Sequence, residues 1–242
     1  MIYRSSYDSL KLRGQDDPST PRPWNIVDIL SKSETRDKRL LDLGSGTGFK
    51  ILPLQELYKE IICLEISKSM LNSASKNLYF NNISLIQGDN FNLPFKDNAF
   101  DVVVSMLSIW DPKEIHRVLT KDGFVLIELL GCEDKKDFKL FFGHDEQGLR
   151  GQYLQYDRET FIENIYKKFQ AYFNHIVIQN EFWNTFYSPM GVLKLLSNTP
   201  IVRNFNYRKD KAALKKALET LSGPNGINIT QNRMLLYAKD PK

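Results

Sequence analysis

The run Arg39-Leu40-Leu41-Asp42-Leu43-Gly44-Ser45-Gly46-Thr47-Gly48 constrains this chain more than any other stretch. Leu40 to Leu43 is a short apolar run of the kind that forms a buried parallel strand. Three alternating glycines follow at once, and Phe49 to Tyr58 then carries apolar residues at helical spacing. The spacing predicts strand, glycine turn and helix. Glycines let the backbone turn sharply and let a ligand come closer than a Cβ would allow. The free N–H groups of an opening helix favour a polar or anionic ligand group. A dinucleotide fingerprint needs glycine at the first, third and sixth positions. Here the glycines are Gly44, Gly46 and Gly48, and the sixth position is Phe49. That argues against a dehydrogenase, and the lack of a following Gly-Lys-Ser/Thr excludes a phosphate-cradling P-loop.

Asp42 stands two positions before the first glycine. A carboxylate there repels a pyrophosphate but suits a ligand that carries an ammonium and a sulfonium. With Asp42, Gly44, Gly46 and Gly48 in this pattern, the chain resembles the class I S-adenosylmethionine-dependent methyltransferases of the type 11 kind. Their first motif is an acidic residue followed by x-Gly-x-Gly-x-Gly. The resemblance implies S-adenosyl-L-methionine as cofactor and S-adenosyl-L-homocysteine as product, and it places Ser45 in the cofactor turn.

The following strands fit. Ile61 to Glu65 is a second buried strand, and Glu65 stands 19 residues beyond Gly46. An acidic residue at about 20 residues meets ribose hydroxyls, since a carboxylate accepts from both arms of a diol. Ile66 adjoins it, and Ser67 is the expected N-cap of a helix through Met70, Leu71 and Ala74. A third strand, Ile83 to Gln87, ends in Gly88-Asp89-Asn90-Phe91 and then Leu93-Pro94-Phe95. By the resemblance, Asp89 accepts from the adenine amino group with Asn90 and Phe91 beside the ring. Phe100 to Ser105 is the fourth strand; its end, with Ser105, Met106, Leu107 and Trp110, would face the methyl group. No Asn/Asp-Pro-Pro-aromatic motif follows, so the pattern of adenine and related amine methyltransferases is missing. Asp111 reads as a cap for the helix Pro112 to Leu119. Asp122-Gly123 departs from the family's Leu-Lys-Pro-Gly-Gly but still makes a turn before strand Phe124 to Leu130.

Residues 131–157 form a polar stretch that is long for a connection. Glu159 to Phe173 is an expected helix and Ile176 to Gln179 a strand. Arg233 to Ala238 is the last strand. The fold expected is α/β: a Rossmann-like, doubly wound seven-stranded sheet, mostly parallel with an antiparallel last strand. Residues 1–38 would give N-terminal helices (Ile2 to Leu12, then from Pro23 to Leu30) acting as a lid or packing on the sheet. Residues 39–181 and 229–242 would be the core of a single domain. Residues 182–228, aromatic at Phe182, Trp183, Phe186 and Tyr187 and then basic from Arg203 to Lys216, would be an inserted substrate cap with helices at Met190 to Leu196 and Lys209 to Leu221.

A net charge of +4 permits an anionic substrate or RNA without demanding either. No apolar run reaches membrane-span length and the first residues lack a signal-peptide core, so no membrane partner and a cytoplasmic location are expected. Cys63 and Cys132 have no Cys-x-x-Cys partner and no histidine cluster, so no metal site is expected. Transfer from a sulfonium is mainly a matter of alignment, and a general base is needed only for an acceptor such as a hydroxyl. Of His116, His144 and His175, only His144 lies in the long loop, and it is the candidate base, with Tyr153 and Tyr156 as comparable choices. The acceptor expected is a small molecule. A tRNA or rRNA acceptor bound by the basic stretch, and a non-catalytic cofactor-binding subunit, are the alternatives; the catalytic-Cys signature of RNA cytosine-C5 methylation is absent. Oligomeric state is not legible.

Overall fold

The computed structural model describes residues 14–32, 36–78 and 80–242. The helix expected over Ile2 to Leu12 lies outside them. The strands are β1 (Gln15–Asp16), β2 (Arg39–Leu43), β3 (Glu60–Glu65), β4 (Ile83–Gln87), β5 (Phe100–Met106), β6 (Leu119–Leu130), β7 (His144–Asp145), β8 (Gly148–Leu149), β9 (Phe173–Tyr187), β10 (Ser222–Gly223) and β11 (Gly226–Pro241). The α-helices are α1 (Ile26–Ser31), α2 (Lys68–Asn77), α3 (Pro112–Val118), α4 (Lys136–Lys139), α5 (Arg158–Gln170), α6 (Pro189–Asn198) and α7 (Lys211–Thr220). Ser67 and Asp111 cap α2 and α3 through the N–H groups of Met70 and Lys113.

One sheet of 9 strands dominates, in the order β1-β9-β11-β6-β5-β2-β3-β4, with β10 on the edge of β11. β4, β3, β2, β5 and β6 are parallel, while β11 runs antiparallel between β6 and β9. The strand order reverses between β2 and β5, so a crevice opens at their carboxyl ends, where ligands bind in such sheets. The expected seven strands are present, and two-residue pieces, β1 and β10, extend the sheet.

Side chains alternate across a strand, which divides the core by parity. Leu41, Leu43, Val103, Val125, Ile127, Met234 and Leu236 pack on one face, against Ile115, Ile165 and Phe169 of α3 and α5. Leu40, Val102, Val104, Leu126 and Leu235 pack on the other, under Trp24, Ile26, Leu30, Ile51 and Leu54. A third cluster joins Phe138, Phe142, Tyr187, Val192, Leu196, Ile201, Leu214 and Ile229. It joins residues 138–142 to the stretch 187–229, apart from the two clusters on the sheet faces.

Three expectations need correction. The helix after the glycines is not formed: Leu52–Leu54 is a 3-10 turn, and the hydrogen bonds from Gly48 to Leu57 all run back three residues. Pro53 is the reason, because its ring crowds the carbonyl four residues back and it has no N–H to give. Residues 131–157 are not an open loop but hold α4 and the β7–β8 hairpin, anchored by the buried Phe138, Phe142, Asp134, Lys135 and Lys139. Finally, β9 and β11 run for 15 and 16 residues, so Phe182 to Tyr187 belong to the sheet and only their far ends reach the cap. Among the described residues no helix is long and apolar enough to cross a membrane.

Candidate active site

The glycine turn is held by β3: the N–H groups of Gly44 and Ser45 both donate to the Leu64 carbonyl, at 2.8 and 3.1 Å. All three glycines have positive φ, +71°, +58° and +74°. Their surroundings differ. A Cβ on Gly44 would come within 2.0 Å of Ser108 Oγ and one on Gly48 within 2.2 Å of Leu78, whereas one on Gly46 would meet nothing within 4 Å. Gly46 therefore lines open space.

Glu65 is buried at the end of β3. Its Oε2 accepts from the Gly46 N–H at 3.0 Å and its Oε1 from the Ser67 N–H at 2.9 Å. Each oxygen keeps a lone pair for a hydroxyl donor. Asp89 is exposed after β4; its Oδ1 accepts from the Phe91 N–H at 2.9 Å, and Phe91 and Ile66 are themselves exposed at the rim. Asn90 differs from expectation in its contacts. Its side chain is buried and donates to the Ile109 carbonyl at 2.8 Å, with Ser108 Oγ at 3.3 Å. It ties the loops after β4 and β5 together. Those loops meet the glycines because Leu107, with φ +63°, turns the chain to set Ser108 against Gly44; strained backbone of this kind clusters at functional sites. Ser105 is fully buried and donates to the Leu43 carbonyl at 3.4 Å, clamping β5 to β2.

Asp42 shares parity with Leu40, so it lies on the face beneath Trp24 and Leu54. Its Oδ1 is buried without a hydrogen-bond partner among the described residues. Burial pushes its carboxyl up to about 7; Lys50 works against that shift and Glu65 adds to it. Burial, with Asp42 in addition, also pushes the nearby Cys63 thiol up, so this cysteine is an inert core residue.

The sequence signal missed a second group of charges on the same face. Glu128, buried near the end of β6, accepts from Arg22 and from Trp24 Nε1 at 3.2 Å. Burial would raise its carboxyl, but Arg22, Lys50 and Arg233 together outweigh that and hold it low. Arg233 bonds Asp134, which also takes Lys135 Nζ at 2.9 Å. Arg22 and Arg233 both approach the Trp183 ring, at 5.4 and 5.8 Å from its centroid. A single Glu inside the aliphatic run Phe124 to Leu130 was the available clue. His144, by contrast, is exposed on the β7–β8 hairpin, where Asp145 is held by Arg203. Among the described residues no hydrogen bond, ion pair or ring contact links it to the strand ends.

These residues fit the cofactor. Open space at Gly46 admits its backbone-proximal part, Glu65 matches a diol, and the orphaned oxygen of Asp42 matches an ammonium. Residues 41–127 match the family model described as a methyltransferase domain. The ubiquinone/menaquinone biosynthesis C-methyltransferase UbiE of Coxiella burnetii is 35% identical over 120 residues, covering 44% of this chain and 48% of that protein. The malonyl-[acyl-carrier protein] O-methyltransferase of Geobacter sulfurreducens is 32% identical over 124 residues, 47% of this chain and 46% of that one. The chain thus spans about half the length of the curated relatives it matches. Among solved structures, a putative methyltransferase from an antibiotic biosynthesis pathway of Anabaena variabilis matches with a TM-score of 0.62 at 15% identity, covering 88% of this chain and 96% of that one. The YcgJ protein of a Bacillus matches with a TM-score of 0.60 at 21% identity, over 88% and 97%. These two share the fold. Over residues 41–127 the chain is thus similar to the methyltransferase domain, and its fold is the Rossmann-like one of these neighbours.

Proposed function

We propose that this protein transfers a methyl group from S-adenosyl-L-methionine to a small-molecule acceptor held between the strand ends and the cap. The observation that carries this reading is the convergence at one crevice of the open Gly46 turn, the buried Glu65 and the unpartnered Asp42 oxygen. The cofactor, when bound, supplies a methyl group on a positively charged sulfur, ready for attack by a nucleophile. In this reading Glu65 holds the ribose hydroxyls, and Asp89 accepts from the adenine amino group with Asn90, Phe91 and Ile66 around the ring. Asp42 accepts from the ammonium, while Gly44, Ser45, Gly48 and Ser105 keep the turn in shape. What remains for the protein is to align the acceptor and exclude water, and alignment alone is worth about 7–11 kcal/mol in favourable cases. Glu128, Trp24 and Trp183 are buried on this side of the sheet, and in this reading the acceptor sits beside them.

A small acceptor fits the cap better than RNA does. Two cations of the basic stretch already have carboxylate partners, Arg203 in Asp145 and Lys215 in Glu219. The two sequence relatives, by their names, serve ubiquinone/menaquinone biosynthesis and methylate malonyl-[acyl-carrier protein]. Titration calorimetry with S-adenosylhomocysteine tests the cofactor half of the proposal. Binding by the wild type that is lost in Glu65→Ala supports it; no binding by the wild type would sink it.

A further inference from the structure

β9 is an edge strand for most of its length. β11 lines one side of it from Tyr187 to Phe173, but on the other side β1 covers only Phe186 and Thr185. Just beyond β1, the Asp17 N–H donates to the Asn184 carbonyl at 2.9 Å, and the Asn184 N–H donates to Thr20 Oγ1 at 3.0 Å. Those two bonds show that both backbone groups of Asn184 point away from β11. In an antiparallel ladder this orientation recurs at every second residue. Phe182, Asn180, Ile178 and Ile176 therefore point the same way, and the register with β11 is unbroken across them. Their outward N–H and C=O groups have no partner among the described residues. Proteins blunt such edges with lysine, proline, a bulge or a covering segment. Residues 175–182 contain no lysine and no proline, and the pairing shows no bulge there. The chain before Gln15 heads toward the Tyr187 end, away from this stretch, because β1 is antiparallel to β9.

The side chains along the open edge are apolar on both faces. Ile176 and Ile178 line a shallow groove with Ile162 and Tyr166 of α5, and Val177 is exposed on the opposite face. We infer that a second copy of this chain docks here, β9 against β9 in antiparallel about a twofold axis, so that the two sheets become one. The charges favour a copy of itself as the occupant. At the start of the edge stand His175, its β11 neighbour Lys239 and, on the last turn of α5, Lys167 and Lys168. At its end stand Glu181 and, on the first turn of α5, Glu159; Arg158 there is already paired with Glu133. A twofold axis turns one copy end for end, so the basic start of each edge meets the acidic end of the other. With the axis at Ile178, that residue faces its own copy, Ile176 faces the partner's Asn180, and His175 faces the partner's Glu181. Each outward backbone group of Ile176, Ile178 and Asn180 then has a hydrogen-bond partner. β11 and β6 stand between this edge and the β2–β5 crevice, which docking leaves open.

Sedimentation velocity of the full chain over a concentration series tests this, together with hydrogen exchange of the peptide covering residues 174–183. A species of twice the chain's mass is expected, with the edge amides becoming protected as it forms. Ile178→Pro is expected to stay monomeric yet unfold in a cooperative thermal transition, because proline removes an N–H that the single chain leaves unused. Glu181→Lys and His175→Glu are surface changes, and each is expected to raise the dimer dissociation constant about tenfold, since the pair they break occurs twice in the dimer. Combined in one chain, they restore the opposite charges and are expected to bring the constant back to within about threefold of the wild type. A wild type that is monomeric at every concentration overturns the inference, whether its edge amides exchange freely or are protected by its own chain. A dimer that survives Ile178→Pro and Glu181→Lys unchanged overturns it too, because the contact then lies elsewhere. Failure of the combined variant to recover overturns the register about Ile178.

Discussion

Asp42→Asn separates the cost of the site from its use. The carboxyl group is buried and its pKa rises from 3.8 to about 7. Keeping it ionised in the folded protein therefore costs about 4 kcal/mol, from roughly three pKa units at ~1.36 kcal/mol each. The sign follows from proton binding. Between pH 4 and 7 the folded state holds a proton that the unfolded chain has released, so stability falls as pH rises through that window. A side-chain amide at this position never ionises and escapes the penalty. In urea denaturation the variant is expected to be more stable than the wild type by up to about 4 kcal/mol at pH 8, shrinking to about 1.5 kcal/mol at pH 5. The same variant is expected to bind S-adenosylhomocysteine at least about tenfold more weakly, having lost its charge-assisted acceptor for the ammonium. For the wild type, cofactor affinity is expected to weaken as pH drops below about 7. A variant that is equally destabilised at both pH values, with cofactor affinity intact, would refute the reasoning and make Asp42 a structural acceptor.

Three further outcomes are expected. Glu65→Ala weakens S-adenosylhomocysteine binding by about tenfold or more in calorimetry while the thermal transition stays cooperative; unchanged affinity would remove the ribose assignment. Gly46→Ala costs only about 1–2 kcal/mol of stability, for the left-handed φ, yet abolishes detectable cofactor binding, because its methyl group projects into open space; a loss of stability with binding intact would show that the space is not the cofactor's. Asp134→Ala strands Arg233 and Lys135 and is expected to cost about 3–5 kcal/mol in urea denaturation. Because those cations and Lys139 overcome the burial of Asp134 and hold its carboxyl below the usual range, the contribution is present above pH 4 and lost on acidification.

The parallel half of the sheet was legible because each of its strands is a short aliphatic run closed by a turn, and because Glu65 and Asp89 fall at strand ends. What was not legible depends on distance along the chain. Residues 131–157 look polar and loose, but Asp134 and Lys135 find their partners in Arg233 and Gln231, about a hundred residues away. The far ends of β9 and β11 look like connection because Asn180, Glu181 and Asn232 interrupt the apolar pattern; one of them, Asn232, is buried and bonded to Asn180 and to the Glu181 carbonyl. The missing helix has a local cause instead: Pro53 is visible in the sequence, but the apolar period around it masks its effect. In the site, the residues proposed for the cofactor are picked out by motif spacing, whereas Arg22, Trp24 and Glu128 come together only through the fold.

The measurement that tests the central claim most directly supplies S-adenosylmethionine with a labelled methyl group, together with cell extract, and separates the products into small-molecule, RNA and protein fractions. The account predicts ribonuclease-resistant label in the small-molecule fraction, and less of it with Glu65→Ala at limiting cofactor. Label confined to RNA or protein, or no transfer to any fraction by a protein that binds the cofactor, would contradict it.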